Sequence, residues 1–387
     1  MGIEAIGANL LRLRKNQGLS QADVADQAGI SRNAFRSVEK GAVTPKAETL
    51  RSLARALHVP LRELVTPVKT LRHVRFRSLK RLKRRDQVLD AVSRWLEDYC
   101  ELEELLDEKP RFDLRTLSRK LEGSRHADMA AVAARVREEL GIEPDCPVND
   151  ICGLLEARGV KVHAVHVESD AFLGLSVSEQ DGGPAVVVNT WDRLAVEHWI
   201  FSAAHELGHL LLHLKAYDVA KTIEEKREEQ EANAFASHFL MPDRAFRKKW
   251  AETAGLSLVD SVLKVKRVFR VSWRTVLYRL DEMAPAAHRG RLWPAFQRQY
   301  EQVTGNTLKK LEEPLGVERA VFRDPRANPQ SSQEPASLLD YDFKSTRLYR
   351  LVRQAIEDAK VSLSRGAEIL DVTPDQMRAL TASWVEN

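Results

Sequence analysis

Two histidines four residues apart in an apolar stretch are the strongest chemical signal in this sequence. In WIFSAAHELGHLLLHL (residues 199–214), His205 and His209 stand one turn apart on the expected helix, so both imidazoles face the same way. That spacing suits two ligands of one Zn²⁺, and Glu206 between them is placed to take a proton from a metal-activated water. Two histidines in so apolar a helix would be costly without a partner. Zinc needs a third protein ligand and an open fourth position for catalysis. Glu229 and Glu231, in EQEANAFA (residues 229–236), are both available. Glu229 shares a helical face with the small residues Ala232, Asn233 and Ala236, which would let that helix approach closely, whereas Glu231 lies roughly 200° further round, beside Phe235. His213 is a further possible ligand, but it reads better as a helix-end histidine satisfied by a carbonyl. His163 and His166 read as structural, with a role as a transition-state donor as the alternative.

A second constellation lies near the N-terminus. Ser20 is placed to cap a short helix, with Asp23 at the capping-box position. Gly29 supplies a sharp turn, Ile30 an anchor, and Ser31 the cap of a second helix, RNAFRSVEKG, ending at Gly41. Such a pair lets one helix brace another that lies in the DNA major groove.

The elements that must position these residues follow from periodicity. Short helices are expected over 3–65, with turns at Gly18, Gly29, Gly41 and Pro60. Val74 and Phe76 alternate with basic residues like a short strand inside the basic run 68–85. That run suits phosphate contact, or equally a solvated surface or a segment packed on its neighbour. A long helix is expected at about 86–107, and further helices over 128–140 and from Pro147 to Arg158. Strands are expected at 160–167, 172–179 and 184–189, the last two joined by Asp181-Gly182-Gly183. Helices follow at 192–214 and about 224–240. The segment 323–337 reads as a linker, and 345–384 as a short helical module. Within that module, Ser362 to Pro374 has the pattern of another helix-turn-helix half. Its acidic surroundings favour packing or protein contact over DNA.

Composition bounds the rest. A chain of 387 residues exceeds one ordinary core. Residues 1–90 carry 19 Lys and Arg against 8 Asp and Glu, so a basic head precedes an acidic remainder and points to a polyanion partner. No apolar run is long enough for a membrane span and the N-terminus lacks a signal core, so no membrane partner and a cytoplasmic location are expected. Cys100, Cys146 and Cys152 form no CxxC pair and read as structural thiols.

The segment LSQADVADQAGISRNAFRSVEKGAVTPKAETLRSLARALHVPLREL resembles the Xre/Cro-repressor type of helix-turn-helix over nearly its whole length. That resemblance implies a five-helix domain that binds double-stranded operator DNA, often as a homodimer. Carried onto this sequence, it implies that Arg32, Asn33 and Arg36 face base edges, types that suit paired hydrogen bonds to guanine and adenine, and that Gln21 and Lys40 touch phosphate. The elements VVVN, FSAAHELGHLLLH and EQEANAFASHFLMP resemble the ImmA/IrrE metallopeptidases, with weaker similarity over roughly 127–285. This implies a reduced thermolysin-like (gluzincin) architecture. The family's E-x-x-A-N element falls on Glu229 to Asn233, which favours Glu229 over Glu231 as third ligand. Ile200 departs from the Arg that members often carry there. The family is described as cleaving transcriptional repressors in stress or mobile-element responses. Residues 172–179 would be the edge along which a substrate chain lies as an added strand.

The expected fold class is therefore mainly α with a small sheet (α+β). The expected order is a helix-turn-helix domain at 1–66, a basic segment and connecting helices at 67–126, a zinc peptidase-like domain at 127–322, a linker at 323–344 and a helical module at 345–387. The expected function is a DNA-binding regulator with a zinc endopeptidase that cuts a repressor or partner protein. The expected ligands are His205, His209 and Glu229, with Glu206 catalytic and Zn²⁺ the cofactor. The alternative is a non-enzymatic transcription factor whose metal domain senses a ligand or binds a partner, and self-cleavage at 108–126 or in the linker is a further variant.

Overall fold

The structure is a computed structural model that describes residues 3–67, 69–78, 85–109, 114–121, 128–214, 217–220, 225–309, 311–314 and 338–385. The expected linker at 323–337 lies outside the described residues, as do residues 79–84 of the basic run. The chain divides into two compact units, Met1–Leu71 with Lys83–Asp98, and Arg72–Leu82 with Tyr99–Asn387.

The first unit contains α1 (Ile3–Asn16), α2 (Gln21–Gln27), α3 (Arg32–Glu39), α4 (Ala47–Ala56) and α5 (Leu61–Val65). Its core gathers Leu10, Leu13, Val24, Phe35, Val38, Leu53 and Leu57. Local chemistry sets the helix boundaries. The Ser20 side chain accepts from the Asp23 backbone while Asp23 returns a bond to the Ser20 N–H, the reciprocal box expected from the sequence. Gly29 has φ +68°, a left-handed conformation that is inexpensive only for glycine, and Ser31 then caps α3 through the Ala34 N–H.

Helix α6 (Arg85–Leu106) belongs to the first unit as far as Asp98 and to the second from Tyr99. In the second unit a four-stranded sheet is built from β1 (Val74–Ser78), β2 (Lys161–Val165), β3 (Phe172–Val177) and β4 (Ala185–Asn189), ordered β1-β3-β4-β2. β1 and β4 run antiparallel to β3, and β2 runs parallel to β4. β3 and β4 are buried throughout, so neither alternates between a core face and a solvent face.

Around the sheet lie α7 (Leu114–Leu121), α8 (Met129–Glu139), α9 (Ile151–Ala157), α10 (Val196–Leu212), α11 (Lys226–Leu240), α12 (Asp243–Ala251), α13 (Leu258–Phe269), α14 (Trp273–Met283) and α15 (Leu292–Thr304). α9 starts later than the sequence suggested. Asp150, not Pro147, caps it, because the Asp150 side chain accepts from the Gly153 N–H. Helices α10 and α11 pack tightly because position 208 is glycine. A Cβ there would sit 2.9 Å from the Phe235 ring.

Three C-terminal helices, α16 (Arg347–Glu357), α17 (Leu363–Ile369) and α18 (Pro374–Val385), close the chain. The module is fastened by charge. Arg347 pairs with the buried Glu103 at 2.5 Å, Glu103 also holds Lys161 at 3.0 Å, and Arg365 pairs with Glu101 at 2.7 Å. Helix α17 thus adds a surface ion pair to α6.

Candidate metal centre and nucleic-acid interface

Helix α10 is buried over almost its whole length, and it presents His205, Glu206 and His209 from inside that apolar surface. Helix α11 brings Glu229 opposite them. The Nε2 atoms of His205 and His209 are 2.9 Å apart. Glu229 places Oε1 3.0 Å from His209 Nε2 and Oε2 3.4 Å from His205 Nε2. One ligand atom from each of the three residues can be chosen so that all lie within 4.8 Å of one another. In a tetrahedral site with metal–ligand bonds of ~2.0–2.1 Å, neighbouring ligand atoms lie about 3.3 Å apart, so this convergence matches a metal's ligand spacing.

The hydrogen bonds behind the triad test the fit more stringently. Asn233 Oδ1 lies 3.1 Å from His205 Nδ1 and can only accept, so Nδ1 carries the proton and Nε2 presents a lone pair. On the other side, Glu231 Oε2 accepts from His213 Nε2 at 3.0 Å. The neutral His213 then offers Nδ1 as an acceptor to His209 Nδ1–H, 2.9 Å away. His209 Nε2 is thereby also left with a lone pair. Two imidazole lone pairs and a carboxylate converge, a donor set that calls for a cation.

The charge states agree. Burial pushes the His209 pKa well below its ordinary value and also lowers that of His213, so both imidazoles are neutral near pH 7. Burial raises the Glu229 carboxyl, but its close approach to His205 and His209 outweighs burial and holds the group below the usual carboxylate range. Neutral imidazoles and an ionised carboxylate are the forms that bind metal.

Three parts of this arrangement escaped the sequence reading. His213 is not satisfied by a carbonyl: its ring bridges His209 and Glu231, because α10 ends where Glu231 of α11 comes alongside. Arg75 of β1 is buried, donating to Glu229 at 3.2 Å and pairing with Glu228. It was hidden in a run of basic residues, although the Val74/Phe76 alternation already put it on the opposite face from them. Ser176 of β3 donates to Glu206 Oε2 at 2.6 Å and accepts from the Tyr217 hydroxyl at 2.7 Å. Burial raises the Tyr217 pKa, so its hydroxyl stays protonated and donates. No sequence signal marked Ser176 or Tyr217. Glu231, the rival third ligand, sits apart with His213 and Arg227. His163 lies on β2, at the far edge of the sheet from β1, and His166 follows that strand.

In the first unit, α3 turns Phe35 and Val38 inward and leaves Arg32, Asn33, Arg36 and Lys40 exposed. Gln21 is half-buried, and its amide donates to Glu39, which also pairs with Arg14 at 2.6 Å. Four of the five residues expected at DNA thus form one exposed set, while Gln21 is engaged within the protein.

Comparison with known proteins agrees with both halves. A helix-turn-helix family profile matches residues 10–64, and a profile described as the IrrE N-terminal-like domain of the M78 peptidase family matches residues 155–281. The HTH-type transcriptional regulator y4dJ of Sinorhizobium fredii is 44% identical over 62 residues, 16% of this chain and 80% of that protein. The cryptic phage CTXphi transcriptional repressor RstR of Vibrio cholerae is 40% identical over 58 residues, 15% of this chain and 52% of that protein. The crystal structure of ComR from Streptococcus suis aligns over 79% of this chain and 84% of its own at 10% identity. Its TM-score of 0.16 is too low to support a shared fold. Among the described residues no helix is long and apolar enough to cross a membrane. The chain belongs to the helix-turn-helix transcriptional regulators and carries, in the same polypeptide, a metallopeptidase-like IrrE N-terminal-like domain of the M78 family.

Proposed function

We propose that this regulator is a zinc-dependent endopeptidase carried on an operator-binding head, and that its substrate is a protein, foremost a transcriptional repressor acting in a stress or mobile-element response. The observation that carries this reading is the convergence of His205, His209 and Glu229 with Glu206 next in sequence to the first ligand. A histidine–histidine–carboxylate set leaves one position of a tetrahedral zinc open, the arrangement of catalytic rather than structural sites. Zinc, when bound there, supplies a Lewis-acidic charge that polarises a carbonyl and makes water more acidic.

The protein's own residues do the rest. Glu206 takes the proton of the attacking water and returns it to the leaving amine. Ser176, backed by Tyr217, donates to Glu206 Oε2 and so fixes the carboxylate's orientation. Asn233 and His213 set the tautomers that point both Nε2 lone pairs inward. On the head, Arg32, Asn33 and Arg36 read base edges and Lys40 contacts phosphate, with two copies of the chain spanning two half-sites as a homodimer. Gln21, tied to Glu39, reaches phosphate only by exchanging that partner. A DNA partner implies a cytoplasmic location.

The test compares cells expressing the wild-type chain with cells expressing His205→Ala and sequences all protein N-termini. Cleavage by this site predicts a new N-terminus present only with the wild type, after the inducing stress. Identical profiles under every inducing condition would leave the domain as a metal-stabilised sensor.

A further inference from the structure

A substrate chain that reaches this site as an added strand needs the edge of β3, because β3 carries Ser176 beside Glu206 and its other side is paired with β4. That edge is taken. β1 pairs antiparallel along it from Val74 opposite Val177 to Ser78 opposite Phe172, with Arg75 opposite Ser176. β1 is well seated there. Val74 and Phe76 are buried, and the Phe76 ring lies 6.0 Å from that of Phe172. Ahead of it, the Asp181 carboxylate accepts from the backbone N–H groups of Arg72 and His73, and the Ser178 N–H donates to the His73 carbonyl at 3.0 Å. The Arg75 guanidinium reaches Glu229 itself, at 3.2 Å.

We propose that residues 74–78 are a built-in competitor for the substrate: an extended polypeptide of this chain's own occupies the strand position over the metal ligands, and the site opens only when β1 leaves β3. This rests on the endopeptidase reading for its consequence, though not for its geometry. The connectivity suggests what moves it. Residues Arg72–Leu82 belong to the second unit, while the chain on both sides of them belongs to the helix-turn-helix unit. A rearrangement of that unit, such as on operator binding or release, would act on β1 through the covalent connections on both sides of it. Arg75 would act as the plug, satisfying Glu229 while the strand is in place and withdrawing from it when the strand departs.

The experiment uses the full-length, zinc-loaded chain in a Cys146→Ser background, since Cys146 is an exposed free thiol. Val74 and Val177 are direct partners, so Val74→Cys with Val177→Cys allows β1 to be locked onto β3 by oxidation and released by reductant. Phe76→Ala loosens the same strand without touching the ligands. The first readout is binding of a fluorescein-labelled peptide of the sequence RHVRFRS, in a Glu206→Gln background so that nothing is cut. The expected result is no binding to the oxidised form, recovery on reduction, and binding about tenfold tighter to Phe76→Ala than to wild type, because the loosened strand frees a larger fraction of the edge. Equal binding to oxidised and reduced forms, or no binding to any form, overturns the proposal. The second readout is hydrolysis of labelled casein by the same forms with Glu206 intact. Hydrolysis that stops on oxidation and returns on reduction supports both readings. Peptide binding that follows the lock without any hydrolysis leaves β1 as the competitor and removes the endopeptidase reading.

Discussion

Replacing His213 by Ala should weaken zinc binding by about tenfold without unfolding the protein. The magnitude follows from the tautomer chain. With His213 present, His209 Nδ1–H has an acceptor at 2.9 Å, and that acceptor exists because Glu231 takes the other His213 proton at 3.0 Å. The metal-free site is therefore already in the tautomer that metal requires. Without His213, His209 gains by moving its proton to Nε2, where the Glu229 carboxylate accepts it at the present 3.0 Å. Metal must then reverse that choice, forfeiting roughly one net hydrogen bond, about 1–1.5 kcal/mol, or about tenfold in Kd. That lies at the lower end of the ~10–100-fold commonly lost when a ligand's outer partner is removed. Glu231→Gln should cost less, since the amide carbonyl still accepts from His213. The assay is competition for zinc against a chelator of known affinity, with the thermal midpoint of the metal-free protein as control. A His213→Ala protein with a wild-type midpoint and an affinity changed less than about twofold would refute the tautomer argument.

Other consequences are open to measurement. Arg36→Ala should cost about 1–3 kcal/mol at the operator and relax preference at one base position, read by binding to operator and single-substituted duplexes; an unchanged preference would remove Arg36 from base readout. Gly208→Ala should lower stability by roughly 1–3 kcal/mol in denaturant unfolding, because the added Cβ meets the Phe235 ring at 2.9 Å between two tightly packed helices. Glu313 shares Lys266 with Glu197, and burial, opposed by Lys266 and aided by Glu197, pushes its pKa up to about 7. Its carboxyl is thus more easily protonated folded than unfolded, so its contribution is fully present below the ordinary value of 4.5 and is lost as pH rises through about 7. The thermal midpoint should fall between pH 5 and 8, and Glu313→Gln should flatten that fall; an identical slope in the variant would count against it.

Much of this was legible from the sequence because the relevant interactions are local. The Ser20–Asp23 box, the Gly29 turn and the Ser31 cap are short-range devices, and the structure shows each of them. His205 and His209 share a face because they share a helix, and Glu229 was favoured by the small residues around it. What stayed hidden depends on chain crossings. Arg75 meets Glu229 across 154 residues, and Ser176 meets Glu206 across 30, contacts that no periodicity encodes. His213 was misread because its partner, Glu231, comes from the next helix rather than from its own end. Asp150 rather than Pro147 opens α9 because a side-chain oxygen aimed at the Gly153 N–H outweighs a residue merely tolerant of the first turn.

The central claim is that Glu206 moves the proton and the triad holds the metal. It is tested most directly by measuring zinc content and cleavage on the same preparations of wild type and Glu206→Gln. In this account Glu206 is next in sequence to the ligand His205 but is not itself a ligand, and the amide has nearly the same shape while being unable to accept the proton. The account predicts about one zinc per chain in both proteins, matching operator binding in both, and cleavage by the wild type alone. A Glu206→Gln protein that keeps its zinc and cuts at the wild-type rate would contradict it.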